Sequence, residues 1–378
     1  MTPQPATTTA EPTPQFLLRA AVVPGTTDLA VSGARPGDAV TVLLGVHELR
    51  TPLPGGAVVD LVPDVVAGFG HADALGNLAF HVGFPAGRAP GEPFLAQAVT
   101  AHQGPGGATT YTVSALRRLR VPVPNQPADL YVLFGQSNAE GAADVAALPH
   151  ALRGRLPGGR IWNPIASTWQ PVQAGVNNTT LAQPTRCGPE LTLLDSLAGT
   201  GPAVYLLKFA VGQTSLGPNP GPWNEWGPDA GELYGELLRR FDGAIAAMRQ
   251  DGLQPRLRGV CMMQGENDAL STAAAQAYGP RLSALVTRLR TDLAQRAGGA
   301  GPELPFVLGL VDRLLPAAVF PGTAAVRAAQ ASLADTIPAC AAVETSGLPR
   351  QADRVHLDTT GVLALGRTFA AALRELGA

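Results

Sequence analysis

Cysteine is scarce in this sequence, and a long apolar run is missing from it. The three cysteines, Cys187, Cys261 and Cys340, are too few and too scattered for a disulfide framework or a zinc site, and they leave room for one disulfide at most. No run of about 18 apolar residues is present that would cross a bilayer as a helix. We therefore expect neither a disulfide-stapled domain nor a membrane partner.

Charge is also low, and positive charge is not in excess. Charged residues make up 15% of the chain, the formal net charge is -2, and Lys208 is the single lysine. Such a balance does not neutralise a phosphate backbone, so nucleic acid is not an expected partner. Hydrophobic residues at 46%, with 44 Gly and 35 Pro, instead indicate a globular, loop-rich protein with a sizeable core.

Three regions differ in composition. Residues 1–15 are rich in Thr and Pro, carry no basic-then-apolar signal pattern, and are predicted to be a disordered tail. Residues 16–123 contain short, partly alternating apolar runs separated by Gly, Pro, Asp and Asn, which is typical of a small all-β sandwich. The proline-rich segment V-P-V-P-N-Q-P-A, residues 121–128, predicts a stiff linker, so residues 124–378 are the second expected domain.

The second domain alternates strand and helix patterns. Its apolar runs are D-L-Y-V-L-F, V-Y-L-L-K-F-A, R-G-V-C-M-M, F-V-L-G-L-V and A-A-V-E, with longer segments between them. This alternation predicts an α/β fold with a parallel sheet and crossover helices. Asp358 or Thr359 is the expected N-cap of the last helix. Two helices are predicted from apolar stripes, one at Leu233, Leu237, Leu238, Phe241, Ile245 and Met248 and the last at Leu365, Phe369 and Leu373.

A serine follows the first of these strands. In D-L-Y-V-L-F-G-Q-S-N-A-E-G, a buried strand ends in Gly135 and Gln136 and delivers Ser137 at its carboxyl end, where open α/β sheets bind ligands. Glycine beside the serine permits a tight turn and close substrate approach. A serine that only caps the next segment would give the same pattern, so its assignment as a nucleophile depends on a base elsewhere.

A serine nucleophile needs an imidazole base, and the imidazole needs an acceptor that fixes its tautomer. Four of the six histidines fall in the first predicted domain, which leaves His150 and His356. His356 stands in A-D-R-V-H-L-D, where Asp353 is close enough to reach its Nδ1 atom, whereas His150 has no carboxylate at a matching spacing. Asp358 competes with Asp353, but its place ahead of a helix favours capping. We predict that Ser137, His356 and Asp353 act together.

Two further strands end in small or polar residues. The segment R-G-V-C-M-M-Q-G-E-N-D-A places Gln264 or Asn267 where a side-chain amide can donate to an oxyanion, and K-F-A-V-G-Q-T-S-L adds the backbone NH of Gly212 beside that of Ser137. Ordinary loop polarity explains either segment alone. Three such strand ends together with D-x-x-H indicate a hydrolase site.

Taken in order, these motifs resemble those of the SGNH hydrolases. The order G-Q-S-N, G-P-E, V-G-Q-T-S-L, Q-G-E-N-D and D-R-V-H-L-D is most similar to carbohydrate esterase family six and the sialate O-acetylesterases, over residues 129–378. The resemblance implies a three-layer, flavodoxin-like α/β domain that deacetylates sugars with no metal or other cofactor. It also implies Ser137 as nucleophile, His356 as general base and Asp353 as its partner.

The resemblance extends to the oxyanion hole and the substrate. It implies Ser137, Gly212 and Gln264 as oxyanion donors, with Asn267 as the alternative to Gln264 because the third motif can also be read as G-x-N-D. Gln213 stands where the group usually has a second glycine, a departure that bears on the geometry of that part of the hole. The expected substrate-binding residues lie in the same motifs: Gln136, Asn138 and Glu266.

The predicted function is that of a serine esterase on acetylated carbohydrate, of the acetylxylan esterase or sialate O-acetylesterase type. A GDSL-like lipase or thioesterase acting on other short acyl esters is the alternative within enzymes. A carbohydrate-binding or adhesion protein with a decayed esterase domain is the alternative outside them. The accessory β domain is expected to bind glycan or another protein, and its pairing with such an esterase favours a secreted or cell-surface location.

Overall fold

The structure is a computed structural model, and it describes most of the chain. The described residues are 17–23, 26–74, 76–82, 88–121, 123, 125–179, 183–198, 203–218, 225–227, 231–298, 301 and 303–378. The predicted tail, residues 1–15, and two prolines of the predicted linker, Pro122 and Pro124, lie outside them.

Up to residue 121 the described elements are strands and two 3₁₀-helices, Pro54–Gly56 and Pro105–Gly107. One antiparallel sheet has the order β1-β2-β7, and a second has the order β10-β8-β3-β6, with β9 paired to β8. Buried side chains of both sheets, including Val31 of β2 and Val42 of β3, share one core. The strands are β1 Leu17–Val23, β2 Thr26–Ser32, β3 Ala39–Gly45, β4 Thr51–Pro52, β5 Val58–Val59, β6 Val65–His71, β7 Leu78–Val82, β8 Pro93–Gln103, β9 Thr109–Val113 and β10 Arg117–Arg120.

The rest of the chain builds a seven-stranded sheet in the order β14-β13-β16-β11-β17-β18-β19. From β11 the chain first forms β13, β14 and β16 on one side and then returns to β17, β18 and β19 on the other. Adjacent strands of the sheet are parallel except for β14, which pairs antiparallel with β13. The strands are β11 Pro127–Gly135, β12 Ala143–Asp144, β13 Arg155–Asn163, β14 Thr168–Gln173, β15 Arg186–Cys187, β16 Val204–Ala210, β17 Gln254–Met263, β18 Phe306–Gly309 and β19 Cys340–Val343, of which β12 and β15 form a separate pair.

Helices cover both faces of this sheet. Alternate side chains of β11 point to opposite faces. Phe134 packs with α4, α5 and α6, whereas Leu133 packs with α3 and α7, so three layers enclose two cores. The helices are α1 Ser137–Glu140, α2 His150–Arg153, α3 Glu190–Ala198, α4 Glu232–Gln250, α5 Thr272–Ala297, α6 Thr323–Thr336 and α7 Thr359–Glu375, with 3₁₀-helices at Val145–Ala147 and Asp268–Leu270.

These elements confirm the α/β prediction and the parallel sheet. The predicted apolar stripe lies on α4, and Asp358 is the N-cap of α7, where its side chain accepts a hydrogen bond from the amide of Gly361. The β13–β14 hairpin was not predicted. All three cysteines are buried free thiols, so no disulfide links them.

The single lysine lies in a buried polar cluster beneath α1. The Lys208 ammonium donates to the Glu190 carboxylate at 2.6 Å and to the backbone oxygens of Glu140 and Asn178 at 2.6 and 2.8 Å. The Lys208 and Glu190 side chains are 1% and 0% exposed. Because Glu140 ends α1, this cluster fixes the short helix that begins with Ser137.

Removing the lysine should therefore destabilise the protein. We expect Lys208→Met to lower the free energy of unfolding by about 3–5 kcal/mol, because the Glu190 carboxylate is left buried without its counter-ion. Denaturant unfolding measures this. Arg239→Met is the matched control, since its pair with Glu236 is exposed and should contribute below about 1 kcal/mol. Equal losses in the two variants would contradict this account.

Candidate active site

The predicted motifs meet at the carboxyl edge of the parallel sheet. Ser137 follows β11, Gly212 follows β16, and the Q-G-E-N-D segment follows β17. The loop that carries His356 follows β19. Since the carboxyl ends of parallel strands share one edge, the fold collects these four segments in one place.

Ser137, His356 and Asp353 form a continuous hydrogen-bonded chain. The Ser137 Oγ atom lies 3.0 Å from Nε2 of His356, and the His356 Nδ1 atom lies 2.6 Å from Oδ2 of Asp353. The other carboxylate oxygen of Asp353 accepts from the backbone amides of Val355 and His356, both at 2.9 Å. This arrangement lets the histidine take a proton from the serine while the carboxylate holds the ring.

The turn that carries the Asp353 carboxylate contains a residue with a positive φ. Arg354 has a φ of 61°, in the left-handed region, which lets the chain fold back within the D-x-x-H spacing. Partial burial raises the pKa of Asp353, but the hydrogen bonds from His356 and from the two backbone amides outweigh it and hold that pKa below its usual range. The acid therefore stays ionised at neutral pH.

Asn138 positions the histidine loop. The Asn138 Oδ1 atom accepts from the amide of Leu357 at 2.9 Å, and its Nδ2 donates to Glu266 at 2.7 Å and to the carbonyl of Val355 at 3.2 Å. Asn138 and Glu266 are 1% and 2% exposed. Asn138 does not line the cavity and ties three chain segments together, whereas Glu266 lines it, so substrate binding by Glu266 stays a prediction.

Gln136 has a similar internal position. Its side chain is 4% exposed, and its Oε1 atom accepts from the amides of Gly265 and Asn267 at 3.2 and 3.4 Å. It links the first motif to the third and also lines the cavity at Ser137, so its role in substrate binding stays a prediction. The neighbouring Gly135 has a φ of 139°, and a Cβ there would lie 2.0 Å from the carbonyl oxygen of Met263, so only glycine fits this approach.

The oxyanion prediction needs a correction at Gln264. This side chain is 0% exposed, and its amide donates to the carbonyl of Thr214 at 3.0 Å and to Asp268 at 2.6 Å. Both amide hydrogens therefore point into the protein. Asn267 lines the cavity at Ser137, and its amide has one hydrogen bond, to Ser215 at 2.6 Å. Asn267, the alternative donor, fits the geometry better.

The loop after β16 lies beside Ser137. Gly212 donates its backbone NH to the Glu140 carboxylate at 3.2 Å, and a Cβ added at Gly212 would lie 3.7 Å from the Ser137 Cβ. Gln213, the departure from the family pattern, has a φ of 63°, so it adopts the left-handed conformation that glycine favours. The backbone path expected of a second glycine is thus kept despite the side chain.

A cavity of about 430 Å³ opens over Ser137, a size suited to a small ligand. Besides the predicted residues and Gln213 it is lined by Leu270, Phe320 and Val355, which the sequence reasoning missed. Leu270 follows the Q-G-E-N-D motif closely, a signal that was available. Phe320 lies in the long connection after β18, where nothing in the sequence marks it.

Two further properties concern the described part of the chain. In it, no group of three or more His, Cys, Asp or Glu side chains is arranged to hold a metal ion. Its helices are each too short or too polar to span a bilayer.

A family model matches more than half of the chain, including every segment that contributes to this site. The model described as carbohydrate esterase, sialic acid-specific acetylesterase matches residues 127–375. This chain belongs to that family. Among curated proteins, none matches it. As a member of the carbohydrate esterase family it is a carboxylic ester hydrolase, and its general chemistry is O-deacetylation.

Solved structures agree with the fold of this esterase family. A protein from Arabidopsis thaliana is 22% identical, with a TM-score of 0.52 over 67% of this chain and 99% of its own. NanS is 16% identical, with a TM-score of 0.53 over 68% of this chain and 99% of its own. At these identities the likeness establishes the fold alone.

The buried Glu266 of this esterase predicts a pH-dependent stability. Burial raises the pKa of its carboxyl, and the hydrogen bond from Asn138 only partly opposes this. A raised pKa in the folded state means that stability present at low pH is lost as the pH rises through that value. We expect Glu266→Gln to gain stability over wild type as the pH rises from about 4 to about 8, by about 1–3 kcal/mol.

Urea unfolding at several pH values measures this difference. Glu303→Gln is the control, because Glu303 is exposed and its replacement should leave the difference flat with pH. A Glu266→Gln variant whose disadvantage grows with pH would show that the ionised carboxylate stabilises the loop.

Proposed function

We propose that this chain is a serine esterase that removes O-acetyl groups from carbohydrate through an acetyl-serine intermediate, as an acetylxylan esterase or a sialate O-acetylesterase. The observation that carries the proposal is the hydrogen-bonded chain from Ser137 through His356 to Asp353, with distances of 3.0 and 2.6 Å. Membership of the carbohydrate esterase family supports the acyl chemistry.

In this proposal the proton moves as the acyl bond forms. His356 Nε2 takes the proton of Ser137 as Oγ attacks the acetyl carbonyl, and Asp353 stabilises the imidazolium that results. The tetrahedral intermediate collapses to acetyl-Ser137, and His356 returns the proton to the departing sugar oxygen. Water, deprotonated by the same imidazole, then attacks the acetyl-enzyme and releases acetate and free serine.

Two donors are favoured for the oxyanion. Ser137 begins α1, so its backbone NH is a first-turn amide without a partner inside the helix. Asn267 supplies the side-chain NH₂, because Gln264 is turned inward. Gly212 is a third candidate. For this role its backbone NH must leave the Glu140 carboxylate and donate to the oxyanion when substrate binds.

The first test is acetate release from p-nitrophenyl acetate, with the butyrate and octanoate esters in parallel. We expect Ser137→Ala and His356→Ala each to lower kcat by about 10³-fold or more, with wild-type activity confined to short esters. His150→Ala is the matched control, since His150 does not line the cavity. Equal turnover by Ser137→Ala and wild type would overturn the proposal, and a preference for octanoate would favour the lipase alternative.

The oxyanion assignment has its own test. We expect Asn267→Ala to lower kcat about 10²–10³-fold with little change in KM, because the lost donor acts mainly on the transition state. Gln264→Ala should instead lower the melting temperature, because it removes a buried amide from its partners. A large kcat loss in Gln264→Ala together with an unaffected Asn267→Ala would restore the original assignment.

The domain division is part of the same proposal. We place an accessory β-sandwich at residues 16–123 and the esterase domain at residues 124–378. The shared core of the two antiparallel sheets supports the first, and the family match over residues 127–375 supports the second. The accessory domain would then bind glycan or another protein near the esterase.

A further inference from the structure

Three apolar side chains line the cavity at Ser137: Val355 in the histidine loop, and Leu270 and Phe320 outside that loop. Leu270 ends the 3₁₀-helix after β17 and is 45% exposed. Phe320 lies in the connection between β18 and α6, and it is partly buried against the core that α5 and α6 form. Neither side chain takes part in the hydrogen bonds of the proposed catalytic chain, so their exposure at this cavity calls for a separate explanation.

This apolar wall, Leu270 and Phe320, is held in place before any substrate binds. The amide of Gly322 donates to the carbonyl of Ala269 at 2.9 Å, which joins the segment of Phe320 to that of Leu270. A Cβ at Gly322 would lie 2.4 Å from the Cβ of Ala275, so the close approach needs glycine. The wall is therefore a built feature of the cavity.

The described residues that line the cavity include an ionised carboxylate but no lysine or arginine. Asp353 is ionised at neutral pH, and among the described residues that line the cavity none is lysine or arginine. A carboxylate on the substrate would therefore meet the Asp353 anion, and no lysine or arginine among these lining residues would pair with it.

We propose that Leu270 and Phe320 are specificity-determining residues that bind the apolar face of a neutral O-acetylated sugar ring, so that the esterase favours neutral acetylated glycans over carboxylated ones. This inference rests on the proposed function of the same site. A pyranose ring presents C–H groups on its faces, and burying them against aliphatic and aromatic side chains is favourable. The wall thus contributes binding to a neutral ring, and the acidic surroundings oppose a charged one.

The experiment compares three esters: an acetylated xylo-oligosaccharide, an O-acetylated N-acetylneuraminic acid, and ethyl acetate, which has no ring. Wild type should have at least about tenfold higher kcat/KM on the neutral sugar than on the anionic one. Leu270→Ala and Phe320→Ala should lower kcat/KM on the neutral sugar about tenfold, mainly through KM, with a clearly smaller loss on ethyl acetate. Leu270→Arg should lower the ratio of kcat/KM on the neutral sugar to kcat/KM on the anionic sugar.

Leu314→Ala is the matched control, because Leu314 is 65% exposed in the same connection as Phe320 but does not line the cavity. It should leave all three substrates unchanged. Ser137-dependent activity with a preference for the anionic sugar would overturn this inference while leaving the proposed function standing. Equal losses on the sugar and on ethyl acetate in both alanine variants would also overturn it. Absence of Ser137-dependent turnover on every ester would instead remove the proposed function itself.

Discussion

The active-site geometry depends on how one loop returns across the sheet. In the order β11-β17-β18-β19, the strand that precedes His356 lies three strand spacings, about 14 Å, from the strand that delivers Ser137. The connection of residues 344–358 must therefore cross the ends of two strands to bring the imidazole to the hydroxyl. Asn138 receives it there, because its amide binds backbone groups on both sides of the histidine. Asn138, the residue beside Ser137, thus sets the distance between Ser137 and His356.

Three carboxyl groups are buried near the active site, and their burial costs free energy. Burial raises the pKa of Glu140 and Glu266, and it raises that of Asp268 to about 6. These acids are held near the site because each accepts hydrogen bonds that no apolar side chain would accept: Asn138 donates to one, Gly212 to another, and Leu216 and Gln264 to the third. Precise placement of the reacting groups is obtained at some expense of stability.

The sequence predicted the elements whose signal is local. The strand before Ser137, the spacing of Asp353 and His356, and the N-cap of the last helix each depend on a few neighbouring residues. The direction of the Gln264 amide depends instead on Thr214 and Asp268, which the fold brings to it, so a pattern of polar strand ends could not separate it from Asn267. The β13–β14 hairpin was missed because its strands, R-L-P-G-G-R-I-W-N and T-W-Q-P-V-Q, contain no long apolar run like those that predicted the other strands.

The residues of the proposed catalytic chain and the apolar residues Leu270 and Phe320 lie on different segments of the chain, which bears on substrate choice. Ser137 directly follows a strand, Asp353 and His356 lie on a loop held by Asn138, and hydrogen bonds that are exposed or half-buried join the three residues. Leu270 and Phe320 lie on two other connections, which one backbone hydrogen bond joins. Under the proposed specificity, substitutions in these two connections alter which acetylated ring is bound while the distance between Ser137 and His356 stays fixed.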